Sequence, residues 1–572
     1  MISLVAIVAA FQAPPMSSKE RQMRAAHLPS IMEDLFRPVG TERAPAPARL
    51  LSGRLPADLQ RGALLKNGPN AQPFGEASGG WLDGDGLVHC IVLPPDEESR
   101  EPTFSRTFLR TQGFAKEEAA GKALFDGTLV APDGAKLLVA LAKNALVAAQ
   151  PQKDTANTAF LRLDNGRCFA LMEQCLPTEL SVARSGEVQT VRAMQDFEGR
   201  LLDRERFPFA GGALTAHFKV DPVTRESIGV TYCSNGPPGA KIEKFDESGN
   251  LCTPSTFVPL NGPAQTMIHD CAITQARNGP ANTGAPCGGG YVVILDFALT
   301  IRPVRMLRND FPVEYEPSAG ARIGLVPRQG SGAEAAAMGE PIWAEVDPCV
   351  VLHTMNAYER ADGTVAITAL RSEPRTPQSF IESYTTALLH EWVIDPTDGG
   401  RCVGERCLSD VPLEFPTIDP RLVGSECKFG FCITPRTIGG PNRYGPPFEG
   451  ILIDGVAKVD LQSGGLAAQW TAPEGWWVVS EATFVPKLGS AAGLGDEGYL
   501  LVFTSQAREV AEGTAEAEDG DGRASRLYVL DGAALGDEAR AEVAVLELPA
   551  AVPYGLHSVY VPYEELRAHD RN

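Results

Sequence analysis

Basic residues are scarce in this chain of 572 residues: 51 Lys and Arg stand against 72 Asp and Glu, a formal charge of −21. Such a surface repels phosphates, which argues against nucleic acid as a partner and against a polybasic hold on anionic lipid. Any membrane contact must therefore be apolar. No Asn-x-Ser/Thr sequon occurs, so nothing asks for passage through a glycosylating lumen. Twelve cysteines are too few for a disulfide scaffold, and the Cys402/Cys407 and Cys427/Cys432 pairs are spaced more widely than a zinc-ribbon CxxC. Free thiols in a reducing compartment are the expectation. No long linker divides the chain, so one large closed domain is as compatible with its length as several average ones. The opening run, MISLVAIVAAF, is too short to span a bilayer.

Glycine and proline, by contrast, are plentiful, at 57 and 45. They favour many turns over long helices, as an all-β chain requires. One pattern recurs: an apolar strand, Asp, a turn rich in Gly, Ser or Thr, and a second strand. It appears in HFKVDPVTRESIGVTY from His217, EWVIDPTDGGRCVG from Glu391, AKVDLQSGGLAAQW from Ala457 and RLYVLDGAALGDEARAEVAVLEL from Arg526. Asp and Gly supply turn geometry, and the flanking Val, Ile and Tyr suit strands, so each copy reads as a hairpin. YVVILDFAL, GTVAITALR and GYLLVFTSQ read as further strands. Residues 330–338 and 509–525 read as small-residue or acidic surface loops. AKLLVALAKNALVAAQ, residues 135–150, is an apolar helix former with two readings. It packs against the rest of the protein, or its Lys136–Ala149 portion enters one membrane leaflet to admit a water-insoluble substrate.

Histidine is scarce too, with eight in all. Four stand in apolar, strand-like settings: His217 in LTAHFKVDP, His269 in TMIHDCAIT, His353 in VVLHTMNAYE and His557 in VPYGLHSVYVP. The ordinary reading of one such residue is a core imidazole hydrogen-bonded to a carbonyl. Four without a metal would bury several polar nitrogens at a cost, so together they read as one metal site. Their separations, 52, 84 and 204 residues, are too long for zinc fingers or HExxH helices. Each ligand needs its own strand, and a propeller, whose sheets ring an axis, brings distant strands to one point. His27, His89, His390 and His569 lie in less suggestive contexts.

The chain also resembles a known family. NGPN at Asn67–Asn70, GGWLDGDGLVH at Gly79–His89, KDTANTAF, ALMEQCLP, TAHFKVDPVT, MIHDCAIT, HTMNAYE, EFPTID, SEATFVP and VPYGLHSVYVP follow the order seen in carotenoid cleavage oxygenases. The resemblance runs from about Arg54 to Pro562. It is closest to the plant-type cleavage dioxygenases, through the segment from Lys136 to Phe160 and NGRCFALMEQCLPTEL. It implies an all-β, seven-bladed propeller with a helical cap, one domain over residues 46–572 behind a targeting or disordered segment, 1–45. It implies one Fe(II) ion per chain held by His217, His269, His353 and His557, with Glu173, Glu414 and Glu481 behind three of them. No catalytic residue beyond the metal ligands is implied. The reaction is cleavage by dioxygen of one double bond in a hydrophobic polyene, a carotenoid or apocarotenoid, to two carbonyl products. Glu359 ranks below the three glutamates as a candidate. Zinc is the alternative ion, and stilbene-type cleavage or a silent binding scaffold the alternative functions. The leader QAPPMSSKERQMRAAHLPS, rich in Ser and basic residues, is similar to plastid transit segments; the cytoplasm is the other location. One departure is ECKFGFCITP, Glu426–Pro435, where relatives carry an Arg-Tyr pair.

Overall fold

A computed structural model of the chain describes residues 31–32, 34–70, 84–95, 100–125, 153–173, 175–201, 213–232, 237–260, 262, 264–275, 290–302, 304–305, 313–328, 338–374, 386–438, 450–507 and 522–568. The Lys136–Ala149 segment, the leader, His27 and His569 lie outside them, as do most of the two predicted surface loops.

Each copy of the recurrent pattern folds as an antiparallel hairpin, and its aspartate performs the same task each time. Asp221 accepts from Val223 N at 2.9 Å, Asp395 from Thr397 N at 2.9 Å, Asp460 from Gln462 N at 2.9 Å and Asp531 from Ala533 N at 3.0 Å. A carboxylate bonded to the amide two residues on closes a turn before any ladder bond forms, which is why Asp marks the corner. At Gly464 and Gly465 the chain then takes φ of 80° and 88°, a region open to glycine.

The strands assemble into sheets of consecutive hairpins. Ala159–Arg162, Cys168–Leu171, Thr178–Val182 and Val188–Arg192 make one, and Phe218–Val220, Ser227–Tyr232, Gly239–Phe245 and Thr256–Pro259 the next. Ala272–Ile273, Tyr291–Asp296, Ala321–Pro327 and Ile342–Val346 follow, then Val350–Glu359, Val365–Ser372, Leu388–Asp395 and Arg401–Cys407. The described strands between Glu414 and Glu547 form a ten-stranded sheet together with Arg49–Gly53. Leu299–Ile301 and Val313–Tyr315 make a small two-stranded sheet, and in the remaining six-stranded sheet Gly62–Lys66 pairs with Asp85–Leu93 on one side and with Ser558–Pro562 on the other. Strands some 490 residues apart in sequence are thus joined in one sheet.

The apolar cores lie between neighbouring sheets and form a cycle. Leu161 and Phe169 meet Ala216 and Phe245; Val230 and Ile242 meet Val292 and Ile294; Val293 and Leu325 meet Ile367 and Trp392. Leu370 and Leu389 meet Ala457 and Val459; Leu501 and Leu527 meet Leu64 and Ile91; Leu65 and Cys90 meet Ala170 and Leu180, which returns to the first sheet. YVVILD shows how the sequence encodes this. Tyr291, Val293 and Leu295 face one neighbour, Val292 and Ile294 the other, so a strand buried on both faces reads as an unbroken apolar run.

Packing begins ahead of residue 46: Leu35 and Val39 are each 2% exposed and contribute to the core. Among the described residues the longest helix is α1, Gln112–Ala120. Thr111 Oγ1 accepts from Phe114 N, and the Asp154 carboxylate accepts from Gln112 N and Gly113 N at 2.8 Å. This satisfies amides that a helix start leaves without partners and ties the helix to KDTANTAF. No described helix is long and apolar enough to cross a membrane.

Candidate metal centre

The four histidines belong to four sheets, and each lies just before or near the start of an end strand. His217 and His557 immediately precede the end strands Phe218–Val220 and Ser558–Pro562. His269 lies three residues before Ala272–Ile273, and His353 sits near the start of Val350–Glu359. In a cyclic array the starts of such strands converge. One ligand nitrogen from each ring lies within 4.8 Å of all the others. His217 Nε2 and His269 Nε2 are 3.0 Å apart, and the His217 ring centroid is 4.6 Å from that of His557 and 5.2 Å from that of His353. All four residues are nine-tenths buried or nearly so.

Three of the rings are held from behind by carboxylates. His353 Nδ1 bonds to Glu414 Oε2 at 2.6 Å, His557 Nδ1 to Glu481 Oε2 at 2.7 Å, and His269 Nδ1 pairs with Glu173 Oε1. A carboxylate at Nδ1 fixes the tautomer and turns Nε2 toward the centre, as metal-bound imidazoles require. No carboxylate backs His217 among the described residues; its amide bonds to Thr215 Oγ1 at 3.2 Å instead. The local backbone helps to aim these groups. A bulge separates Glu414 from Thr417, and Phe415 between them adopts φ of 45°, costly for a bulky residue and typical of constrained sites. Its ring packs 5.3 Å from His353 and 4.9 Å from His557.

The electrostatics favour the neutral, cation-ready form at two of the rings. Burial, with the neighbouring imidazoles adding to it, holds His217 well below the ordinary histidine range. Burial also lowers His353 and outweighs the nearby Glu414. At His269 the burial penalty is overcome by Glu173, and the ring titrates above its usual value. The donor set is four imidazoles with no carboxylate of its own, which suits a borderline transition metal such as iron or zinc and not calcium or magnesium. The residues present fit such an ion.

The remaining candidates lie elsewhere. His89 is buried in Asp85–Leu93, in register with Lys66 and Arg106, and His390 bonds to Glu405 at 2.8 Å. Glu359 accepts from Thr274 Oγ1 at 3.1 Å. Sequence reasoning passed over several residues that build the site. Asn67 N donates to His557 O and Asn67 O accepts from Leu556 N, both at 2.9 Å, pinning that ligand's segment. Tyr232 donates to Glu173 Oε2 at 3.0 Å. Asp270 follows His269 directly and accepts from Lys219 and Thr354. Its signal was present in MIHDCAIT, a carboxylate beside an apolar run.

Comparison with known proteins gives consistent results. The family model described as retinal pigment epithelial membrane protein matches residues 36–562. The carotenoid 9,10(9',10')-cleavage dioxygenase 1 of Phaseolus vulgaris is 26% identical, over 93% of this chain and 89% of that protein. A chloroplastic 9-cis-epoxycarotenoid dioxygenase of Oryza sativa subsp. japonica is 28% identical, over 94% of this chain and 76% of that protein. Among solved structures, the Synechocystis apocarotenoid oxygenase superposes with a TM-score of 0.70 at 24% identity, covering 93% of this chain and 99% of that one. The Pseudomonas brassicacearum lignostilbene dioxygenase gives 0.67 at 21% identity, covering 92% and 96%. The all-β architecture is thus the propeller fold of the apocarotenoid oxygenase.

Proposed function

The chain belongs to the retinal pigment epithelial membrane protein family, which includes the carotenoid cleavage oxygenases its motifs resemble, and from that membership we propose that it cleaves one double bond of a carotenoid or apocarotenoid with dioxygen, giving two carbonyl products. The observation that carries the reading is the convergence of His217, His269, His353 and His557 on one point, with Glu173, Glu414 and Glu481 behind three of them. On this reading the four imidazoles hold one ferrous ion per chain, and the glutamates orient their rings. Such an ion would supply the activation of dioxygen.

Four neutral nitrogens leave the ion's full charge in place and favour the ferrous state, so no reducing cosubstrate is required. Buried Glu414 and the partly buried Glu173 and Glu481 return negative charge one shell further out. The chain's other work is to hold a long apolar molecule and exclude water, with Phe415 as one wall beside two of the rings. We also take the ten-stranded sheet as two blades, Glu414–Thr471 and Thr483–Glu547. That makes seven with the other five large sheets, as a closed propeller of this family would have.

The experiment is product analysis. Iron-loaded protein is incubated with a panel of carotenoids and of hydroxylated stilbenes, and mass spectrometry reads the carbonyl products. Paired products from carotenoids support the proposal; turnover of stilbenes alone refutes it in favour of the second reading, which the lignostilbene dioxygenase superposition keeps open. The Lys136–Ala149 segment is proposed to bring the protein to lipid, and location in a plastid is proposed from relatives named chloroplastic. Unchanged vesicle flotation after deleting Lys136–Ala149 would remove that segment from the mechanism.

A further inference from the structure

The three segments carrying His217, His269 and His353 are joined by one side chain that is not itself a candidate ligand. Asp270 is 3% exposed. Its Oδ2 accepts from Lys219 Nζ, two residues beyond His217, at 2.9 Å. The same oxygen accepts from Thr354 N and Thr354 Oγ1, one residue beyond His353, each at 2.9 Å. Its Oδ1 accepts from Cys271 N at 2.7 Å, which fixes the carboxylate relative to His269. One carboxylate therefore ties the His269 and His353 backbones together directly and reaches the His217 segment through the Lys219 side chain.

The strand around His353 shows why such a group is needed. Val350–Glu359 runs out of register with its partner on both sides of Thr354, between Val351 and Thr354 and again before Asn356. Irregularities of this kind re-aim side chains and leave backbone groups unpaired, and buried amides without acceptors are costly. The Asp270 carboxylate accepts the Thr354 amide there. Thr354 Oγ1 also lies 2.7 Å from Cys271 O, so its single proton is shared between two acceptors on the His269 segment. Bonds to an ionised acceptor are short and strong, which suits a group that must hold ligands to fractions of an ångström.

We propose that Asp270 is a positioning residue of the metal centre, setting the spacing of His217, His269 and His353 through Lys219 and Thr354. The inference rests on the reading of the four histidines as one metal site. Its prediction differs from that of a structural role: loss of Asp270 changes the coordination geometry and affinity of the site, beyond any change in folding.

Cobalt(II) is the probe, because a cobalt-substituted form of the Synechocystis oxygenase exists and cobalt's visible absorption reports coordination geometry. Wild-type chain, Asp270→Asn, Asp270→Ala, Thr354→Val and Lys219→Arg are titrated with cobalt(II), with thermal unfolding of each apo form measured alongside. Asp270→Asn is expected to weaken cobalt binding about tenfold or more and to shift the absorption bands. Thr354→Val should show a smaller change of the same kind, and Lys219→Arg should retain the wild-type spectrum. The proposal is overturned if Asp270→Asn binds cobalt with wild-type affinity and wild-type bands, whatever its melting temperature. Asn keeps the shape of Asp, so the test stands even if the Ala variant does not fold. If the wild-type chain itself takes up no cobalt, the underlying metal-site reading fails first, and the inference with it.

Discussion

Glu414 and Glu481 each hold a histidine, but the way they hold it predicts unequal responses to the same substitution. Glu414 uses one oxygen twice: Oε2 accepts from His353 Nδ1 and from Phe415 N, both at 2.6 Å. A glutamine there can turn its carbonyl oxygen to both donors and lose only the charge. The other oxygen is buried and has no hydrogen bond among the described residues, so the amide nitrogen placed there breaks no bond, and its unmet N–H donors weaken the apo and iron-bound forms alike. Glu481 divides its work, with Oε2 on His557 Nδ1 at 2.7 Å and Oε1 on Ser558 N at 2.5 Å. A glutamine there must set an N–H against another N–H. Neutral acceptors give about 0.5–1.5 kcal/mol and charged ones about 1.5–3, so Glu414→Gln should cost about 1 kcal/mol, roughly fivefold in iron affinity. Glu481→Gln loses a whole charged bond and strands a donor, about 2–4 kcal/mol or roughly 30–900-fold, a span that starts within the 10–100-fold seen for outer partners of metal ligands and runs beyond it. Anaerobic titration of ferrous iron against a competing chelator measures both. Equal losses in the two variants, or a larger loss in Glu414→Gln, would refute the hydrogen-bond reasoning.

Other expectations concern the fold and the site together. Lys66 is fully buried, in register with His89, and burial with help from Arg523 lowers its pKa from 10.5 to about 7. The unfolded chain then binds more protons between pH 7 and 10.5, so stability rises with pH across that window. Relative to Lys66→Met, the wild-type chain should gain about 2–3 kcal/mol between pH 7 and 9 in denaturant unfolding, and parallel curves would refute this. Arg328 bonds to Asp221 at 2.8 Å and Glu226 at 3.0 Å, all three buried, between the second and third sheets. Arg328→Met removes the cation paired with buried Asp221, while Glu226 keeps Lys244 at 3.0 Å, and should cost about 3–5 kcal/mol of stability in the same assay, with iron affinity unchanged. His353→Ala should remove iron binding and turnover while the apo protein still unfolds cooperatively; retained cleavage would contradict its assignment as a ligand.

What the sequence disclosed follows from how far each interaction reaches along the chain. The hairpins were legible because the Asp221, Asp395, Asp460 and Asp531 turns are made within three or four residues. The histidines were legible for the opposite reason: imidazoles are rare here and stand out on apolar strands. Glu414 and Glu481 shared that signal, a charge where burial makes charge costly. Asp270 carried it too, yet its meaning lay in Lys219 and Thr354, 51 and 84 residues away, which no local pattern ties to it. The seam of the ring could not be read either. It depends on the pairing of Gly62–Lys66 with Ser558–Pro562, whose residues suit any buried strand. The bulge at Phe415 was equally hidden, because EFPTID reads as an ordinary strand and only the fold shows the left-handed residue that turns Glu414 inward.

The central claim is that four imidazoles from remote parts of the chain share one ferrous ion. Iron-edge X-ray absorption of the anaerobically reconstituted protein tests it most directly. The account predicts one iron per chain with a first shell dominated by four histidine nitrogens, visible through imidazole multiple scattering. A shell of mainly oxygen or sulfur, or with fewer than four imidazoles, would contradict it.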